Sequence, residues 1–309
     1  MSKSRRKFKH KKLNPAKKTN FLVIVLTIIV LVETVLLLFL IPRKGSVKDI
    51  GKTIQKSVSE TAKKTPLAKE EKAIPVETTV FPRVIPMKPR GKIAIVIDDW
   101  GYSNKNLHIL KEIHLPLTLA ILPFRDYSSE IAEFGYQNNF EVIIHMPMEP
   151  ENKENFDLEP KTLMTYMGRR TINSIMNEAF NDIVYAKGIN NHMGSLATQD
   201  KDFMEKVFKI LKKKGFYFLD SYVIADSVAD AVAKKLGVKF ARRSIFLDNE
   251  SDPDYIIDRL NELAREVDKN GKAVGICHDR KNTLLALKEE LPKLAKKGYG
   301  FVFLSDIVE

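Results

Sequence analysis

Acidic, amide and histidine side chains follow several short apolar stretches in the C-terminal two thirds of this 309-residue chain. Asp98 and Asp99 end the first of these stretches, IAIVIDD, side by side. The equivalent positions after later stretches hold His145, Asn190, Asn191, His192, Asp220, Asp248 and His278. Two adjacent carboxylates at the end of a buried strand repel each other and resist desolvation, so chemistry is a better explanation for them than packing.

Histidine and carboxylate side chains together are the ligands that a divalent transition metal prefers in proteins. A bound cation would also relieve the repulsion between Asp98 and Asp99. Because neighbouring strand residues point in different directions, we expect one acid at the metal and the other facing the substrate water. Capping of the following helices is the alternative for single acids such as Asp99 or Asp248. The accompanying histidines favour a metal site for the set as a whole.

The elements that must position these residues alternate between strands and helices. Strands are predicted at 93–98, 117–122, 141–145, 188–191, 216–220, 244–248, 273–277 and 300–304. Helices are predicted at 103–113, 126–138, 172–185, 201–214, 225–236, 253–269 and 283–297. Continuous apolar strands between helices are typical of parallel strands that are buried on both faces. Seven or eight such units predict a closed or nearly closed β/α barrel with its active site at the carboxyl ends of the strands. An open doubly wound sheet is the alternative.

The N-terminal part of the chain predicts attachment to a membrane. Residues 1–20 carry nine lysines and arginines. Residues 21–41 form one long apolar stretch in which Glu33 is the single charged residue. As a helix this stretch would span about 31 Å, the thickness of a bilayer core. We therefore expect a cytoplasmic tail (1–20), a single-pass anchor (21–41), an extended stem (42–90) and an exported domain (91–309).

The distribution of charge argues against nucleic acid as a partner. The formal charge of +12 belongs to the N-terminal tail and stem, whereas residues 91–309 hold slightly more acidic than basic side chains. A nucleic-acid-binding domain normally concentrates Lys and Arg on one face. The only cysteine, Cys277, excludes an intrachain disulfide and is interpreted as a buried structural residue.

The motifs IAIVIDDWG, LPLTLAILP, EVIIHMPMEP, GINNHMGSLATQD, FLDS and FLDN, in this order, resemble the divergent branch of the polysaccharide deacetylases. The resemblance runs from about Lys92 to the C-terminus. It implies a deformed (β/α)7-type barrel, a divalent metal site and hydrolysis of N-acetyl or O-acetyl groups on sugars.

The resemblance also implies roles for individual residues. Asp98 corresponds to the catalytic base, Asp99 to the metal-binding acid and His145 to the first metal histidine. Better-known members carry a second histidine four residues later, where this chain has Glu149. His192 is our candidate for that ligand, with Glu149 as a weaker one. The stretch GICHD makes His278 the candidate general acid.

Together these observations predict a membrane-anchored metal-dependent deacetylase that acts on a cell-envelope polysaccharide, with zinc as the metal that fits the ligands best. Asn190, Asn191, Asp220 and Asp248 are further candidates for metal or substrate contact. Two alternatives stay open. One is a domain that binds an envelope glycan or protein without catalysis. The other is a glycosidase, in which Asp220 or Asp248 would supply the second carboxylate.

Overall fold

The computed structural model describes residues 89–309, and they form a curled parallel sheet surrounded by helices. The predicted tail and anchor, and the stem up to residue 88, lie outside the described residues. Within residues 89–309, no helix is both long enough and apolar enough to cross a bilayer.

The sheet contains nine strands, and every pairing between them is parallel. The strands are Gly91–Trp100 (β1), Thr118–Ile121 (β2), Glu141–Met148 (β3), Gly188–Met193 (β4), Tyr217–Asp220 (β5), Phe240–Arg242 (β6), Ile245–Phe246 (β7), Lys272–His278 (β8) and Tyr299–Phe301 (β9). Their order is β6-β5-β4-β3-β2-β1-β8-β7, and β9 also pairs with β1. The two ends of this order, β6 and β7, are separated by two residues in the chain, so the sheet must curl. The result is a curled half-barrel, which agrees with the predicted barrel in strand direction and in curvature.

Within residues 89–309, seven α-helices connect the strands and cover the outside of the sheet. They are Leu107–Leu110 (α1), Ser128–Gln137 (α2), Arg169–Asp182 (α3), Lys201–Lys214 (α4), Ala229–Leu236 (α5), Pro253–Asn270 (α6) and Lys281–Lys296 (α7). The helix predicted at 103–113 shrinks to the four residues of α1. Of the strand predicted at 244–248, only the two residues of β7 form a strand. The sequence pattern does not predict β6.

Local signals explain where the longer helices begin and end. The Asp200 side chain accepts a hydrogen bond from the backbone N–H of Phe203 and caps α4, and Asp252 caps α6 in the same way. Gly215 and Gly271 end these two helices in the left-handed conformation, which glycine adopts without the steric cost of a Cβ atom.

Alternating strand residues face two separate apolar layers. In β1, Ile93, Ile95 and Ile97 pack outward against the helices, while Ala94 and Val96 face an inner layer within the curled sheet. The C-terminal residues Leu304, Ile307 and Val308 belong to this inner layer. Because the backbone N–H of Leu304 donates to Thr118 Oγ1 (3.2 Å) at the start of β2, they close the amino end of the half-barrel. The carboxyl end is left for the polar residues that follow the strands.

Candidate active site

Strand alternation brings most of the predicted polar residues to the inner face at the carboxyl end. Asp98 continues the inward series of Ala94 and Val96 on β1, and His278 continues that of Val274 and Ile276 on β8. Asp98 and His278 are direct partners in the register of these two strands. On the other side, His145 of β3 pairs with Asn190 of β4. Strands β4 and β3 on one side of β2, and β1 and β8 on the other, thus contribute to one cluster of side chains.

Asp99 reaches the same cluster because β1 is irregular at its end. The pairing of β1 with β2 shifts register between Ile97 and Trp100, and Asp99 has a φ of 64°. In a regular strand, Asp99 would point away from Asp98. The bulge instead turns its carboxylate toward the inner face, while the Trp100 side chain is fully buried in the outer layer. Both acids therefore lie beside His145, whereas the alternation of a regular strand predicts that they diverge.

Asp99, His145 and His192 form a group of side chains that could hold a metal ion. Asp99 Oδ1 lies 3.3 Å from His145 Nε2 and 3.2 Å from His192 Nδ1, and the two ring nitrogens lie 3.0 Å apart. The three ligand atoms lie within 4.8 Å of one another. Asp99 Oδ1 is buried and makes no hydrogen bond of good geometry. One oxygen and two imidazole nitrogens converging on one point fit a divalent cation that keeps an open coordination position.

The electrostatics of the group favour positive charge at its centre. Burial alone would disfavour charge on His145, but the nearby negative charges of Asp98 and Asp99 outweigh it and raise the pKa of His145 to about 9. His145 and His192, opposing the effect of burial, hold the pKa of Asp99 well below its usual range. A divalent cation satisfies the same carboxylates and leaves the imidazoles neutral, as metal ligation requires.

Asp98 lies next to this group and is almost completely buried. Its Oδ1 accepts a hydrogen bond from Asn190 Nδ2 (2.9 Å), and its Oδ2 lies 3.7 Å from His145 Nε2. Burial raises the pKa of Asp98 above the ordinary value, although the positive charge on His145 opposes the shift. A carboxyl group with a raised pKa is better matched to proton transfer near neutral pH than an ordinary aspartate.

His278 faces the cluster from β8 and is held by Asp248. Asp248 Oδ1 accepts from His278 Nδ1 (2.8 Å), and Asp248 Oδ2 accepts from the backbone N–H of His278 (3.0 Å) and from Thr283 Oγ1 (2.9 Å). Burial opposes charge on the imidazole, but the Asp248 hydrogen bond raises the pKa of His278 above its ordinary value. About a fifth of the His278 side chain (21%) is exposed. Asp248 is fully buried, so it acts on His278 and is out of reach of a substrate.

Two other predicted residues, Asp220 and Asn191, make contacts that serve the surrounding structure. Asp220 accepts hydrogen bonds from the Tyr222 backbone N–H (2.8 Å) and from Ser227 Oγ (2.7 Å), which fixes the turn after β5. Asn191 Oδ1 accepts from the backbone N–H of Ser221 (2.9 Å) and joins β4 to the end of β5.

Glu149 holds the long segment after β3 and lies outside the Asp99, His145 and His192 group. Its carboxylate accepts from Lys153 Nζ (2.7 Å) and from both the backbone N–H and the hydroxyl of Thr165 (2.7 Å each). These contacts use both carboxylate oxygens.

Arg243 is a residue near the site that sequence reasoning missed. Its Nε donates to the Ser221 carbonyl (2.7 Å) and its Nη2 to the Tyr222 carbonyl (2.8 Å), while its guanidinium lies over the Phe246 ring. Burial lowers its pKa, partly offset by the charges of Asp220 and Asp98. The one signal for Arg243 in the sequence is its position just before the apolar stretch SIFLD. The strand that ends beside it, β6, is too short to be recognised from the sequence.

Comparison with known proteins identifies the family of this chain. The family model of divergent polysaccharide deacetylases matches residues 95–308, so the chain belongs to this family. It is 38% identical over 202 residues to the uncharacterized protein YibQ of Escherichia coli K12, covering 64% of this chain and 62% of that protein. It is 34% identical over 205 residues to an uncharacterized protein of Haemophilus influenzae, covering 66% of this chain and 72% of that one. The match therefore leaves more than a third of the E. coli relative outside it.

Among solved structures, an uncharacterized protein of Agrobacterium tumefaciens C58 shares the fold, with a TM-score of 0.67 at 22% identity. The likeness covers 73% of this chain and 92% of that one. The family thus fixes the fold, and its name suggests a carbohydrate substrate. The roles of the individual residues depend on the site described above.

Proposed function

We propose that this chain is a metal-dependent hydrolase that removes acetyl groups from a cell-envelope polysaccharide. The observation that carries the proposal is the convergence of Asp99, His145 and His192 within 4.8 Å, with Asp98 beside them. Metal ligands, a carboxylate next to them and a histidine facing them are the parts that hydrolysis of an amide or ester requires.

Asp99, His145 and His192 would hold the metal. A divalent cation bound there would supply a Lewis acid that polarises the acetyl carbonyl group and lowers the pKa of water. Zinc suits one carboxylate and two imidazoles, although cobalt, nickel, manganese and iron accept the same donors.

Asp98 would act as the general base and His278 as the general acid. The raised pKa of the Asp98 carboxyl group suits it to accept the proton of the attacking water. The His278 Nδ1–H is engaged by Asp248, so the proton to be donated lies on Nε2. The raised pKa of His278 keeps that proton in place near neutral pH, ready for the departing amine or alcohol.

The cellular setting of the proposal comes from the sequence. The apolar residues 21–41, preceded by the basic tail 1–20, support a single-pass anchor with its N-terminus in the cytoplasm. Residues 91–309 would then face the cell envelope, and the substrate that we propose is an acetylated glycan of that envelope.

The test is acetate release from acetylated chitooligosaccharides and peptidoglycan fragments by the full-length protein, with added zinc and with chelator. We expect release that chelator abolishes and that Asp98→Asn reduces by at least about 100-fold. Asp200→Asn, which exchanges one good helix cap for another, is the matched control and should behave as the wild type.

Two results would reject the proposal. Acetate release that survives both chelation and Asp98→Asn would show that another site is responsible. Glycan binding without any acetate release, unaffected by Asp98→Asn, would instead establish a non-catalytic binding domain on the same fold.

A further inference from the structure

The side chain of Asn190 connects the metal-binding group to the proposed base. Asn190 is fully buried at the end of β4. Its Oδ1 lies 2.9 Å from His145 Nδ1, and its Nδ2 lies 2.9 Å from Asp98 Oδ1 and 3.2 Å from Ser221 Oγ. One amide group thus contacts both a candidate ligand and the candidate base.

The orientation of this amide follows from the chemistry of its neighbours. An ionised carboxylate only accepts hydrogen bonds, so the NH2 group of Asn190 must face Asp98. The carbonyl oxygen of Asn190 must then face His145 and accept from Nδ1–H. With the proton fixed on Nδ1, the lone pair of His145 lies on Nε2, the nitrogen that faces Asp99 and His192.

The amide is itself held in place by a second layer of hydrogen bonds. Ser221 Oγ donates to the Asn191 carbonyl (2.8 Å), which leaves its lone pairs free to accept from Asn190 Nδ2. The Ser221 backbone N–H donates to Asn191 Oδ1 (2.9 Å). Rotation of the Asn190 amide would therefore break contacts to three other side chains.

We infer that Asn190 is a positioning residue with two separable effects. Its carbonyl oxygen selects the His145 tautomer that can bind a cation, and its NH2 group keeps the Asp98 carboxylate beside that cation. The first effect concerns metal affinity alone, while the second rests on the proposed function, because it requires Asp98 to act as a base. Because Asn190 is completely buried and its amide is engaged at both ends, we assign it this positioning role and not the direct substrate contact that its sequence position also allowed.

Two substitutions separate the effects. Asn190→Ala removes both hydrogen bonds, whereas Asn190→Asp keeps an acceptor for His145 Nδ1 but places a second carboxylate against Asp98. We expect Asn190→Ala to weaken zinc binding about 10–100-fold, the usual effect of losing the hydrogen-bond partner of a metal-binding histidine. Asn190→Asp should bind zinc within about tenfold of the wild type and still lose most acetate release.

The measurements are zinc affinity by chelator competition and the visible absorption of the cobalt-substituted full-length protein, followed by acetate release. The cobalt spectrum reports the ligand set and is insensitive to a purely structural loss of stability. Asn138→Ala is the control, because that amide contacts the Phe134 carbonyl at the C-terminal end of α2, next to the amino end of β3, whereas the site lies at the carboxyl ends of the strands. This variant should leave the zinc affinity and the spectrum unchanged.

Each outcome bears directly on the inference. Wild-type zinc affinity and an unaltered cobalt spectrum in Asn190→Ala would overturn it while leaving the proposed function intact. If Asn190→Ala does not fold, the nearly isosteric Asn190→Asp decides, and loss of zinc binding by that variant overturns the tautomer argument. A wild-type protein that binds neither zinc nor cobalt would overturn both the inference and the proposed metal site.

Discussion

Asp248 and Asp220 are both fully buried, yet their replacement by asparagine should change stability in different ways. Asp248 contacts the His278 imidazole and lies 3.8 Å from the largely exposed Arg280 guanidinium, and its pKa is held below the usual range chiefly by the His278 hydrogen bond despite the opposing effect of burial. Asp220 contacts only a hydroxyl and a backbone N–H, and burial raises its pKa. The charge is therefore stabilised at one position and disfavoured at the other.

The magnitude for Asp248→Asn follows from its hydrogen bonds. The asparagine oxygen must face the backbone N–H of His278, which can only donate, so the new NH2 group faces His278 Nδ1. When the His278 imidazole is protonated, its Nδ1–H and the new NH2 group are both donors, so no hydrogen bond forms between them. We expect a loss of about 2–3 kcal/mol in the free energy of unfolding, the value of a hydrogen bond between charged groups.

The loss should depend on pH. The folded-state pKa of His278 is raised, so its pairing with Asp248 stabilises fully below the unfolded value of about 6.5 and is lost as pH rises through the folded value. Asp248 itself has a lowered pKa and contributes throughout this range. Once His278 is neutral, its Nδ1 can accept from the asparagine, and the loss should fall below about 1 kcal/mol.

Asp220→Asn should behave differently because Ser227 Oγ can turn to accept from the new NH2 group. The raised pKa means that the ionised form of Asp220 already costs stability once pH exceeds its folded value. We expect a change between zero and about 1 kcal/mol of added stability, equal at both pH values.

The assay is urea unfolding of the full-length protein at about pH 6 and about pH 9, with chelator in every sample so that metal binding does not contribute. Equal losses for the two variants at the lower pH would refute this account of the buried charges. A loss for Asp248→Asn that is the same at both pH values would refute the role of His278 protonation.

Three further predictions follow from the site and the elements around it. In scanning fluorimetry, chelator should lower the thermal unfolding midpoint of the wild type but not that of His192→Ala, because a bound cation present at 1,000 times its Kd stabilises the folded protein by about 4 kcal/mol. Equal shifts in the two proteins would place the metal elsewhere. Gly101→Ala should lose about 1–3 kcal/mol in urea unfolding, since Gly101 has a φ of 127° and a Cβ atom would lie 3.0 Å from the Leu122 carbonyl oxygen; an unchanged midpoint would contradict this. Glu149→Gln should speed amide exchange across 149–165 without changing zinc affinity, and weaker zinc binding would show instead that Glu149 is a ligand.

Much of the site follows from one rule that can be applied to the sequence. Parallel strands share a direction, so residues after each apolar stretch meet at the same end, and alternation within a strand selects those that face inward. This rule places Asp98, His145, Asn190, His192 and His278 together from spacing alone, and the structure brings them together. It also explains why Asp220, which lies on the outward alternation of Phe218, is separate from the inner face.

Other features depend on geometry that spacing does not encode. The bulge that turns Asp99 inward requires a left-handed backbone conformation at a non-glycine residue. Aspartate tolerates this conformation better than most residues, but its presence in the sequence does not predict it. Strand β6 has three residues and only partial burial, so it lacks the apolar run by which the other strands are recognised. Missing β6 also meant missing Arg243, which follows it directly.

His192 lies beside His145 although the two histidines are on different strands. Register pairs His145 with Asn190 and Pro147 with His192, so His192 lies one inward position nearer the mouth than Asn190. From this position on β4 the His192 side chain reaches His145, and His192 Nδ1 lies 3.0 Å from His145 Nε2. The Glu149 carboxylate is instead engaged with Lys153 and Thr165. Glu149, the residue four positions after His145, holds the segment that follows β3, and β4 supplies the second histidine of the candidate metal-binding group.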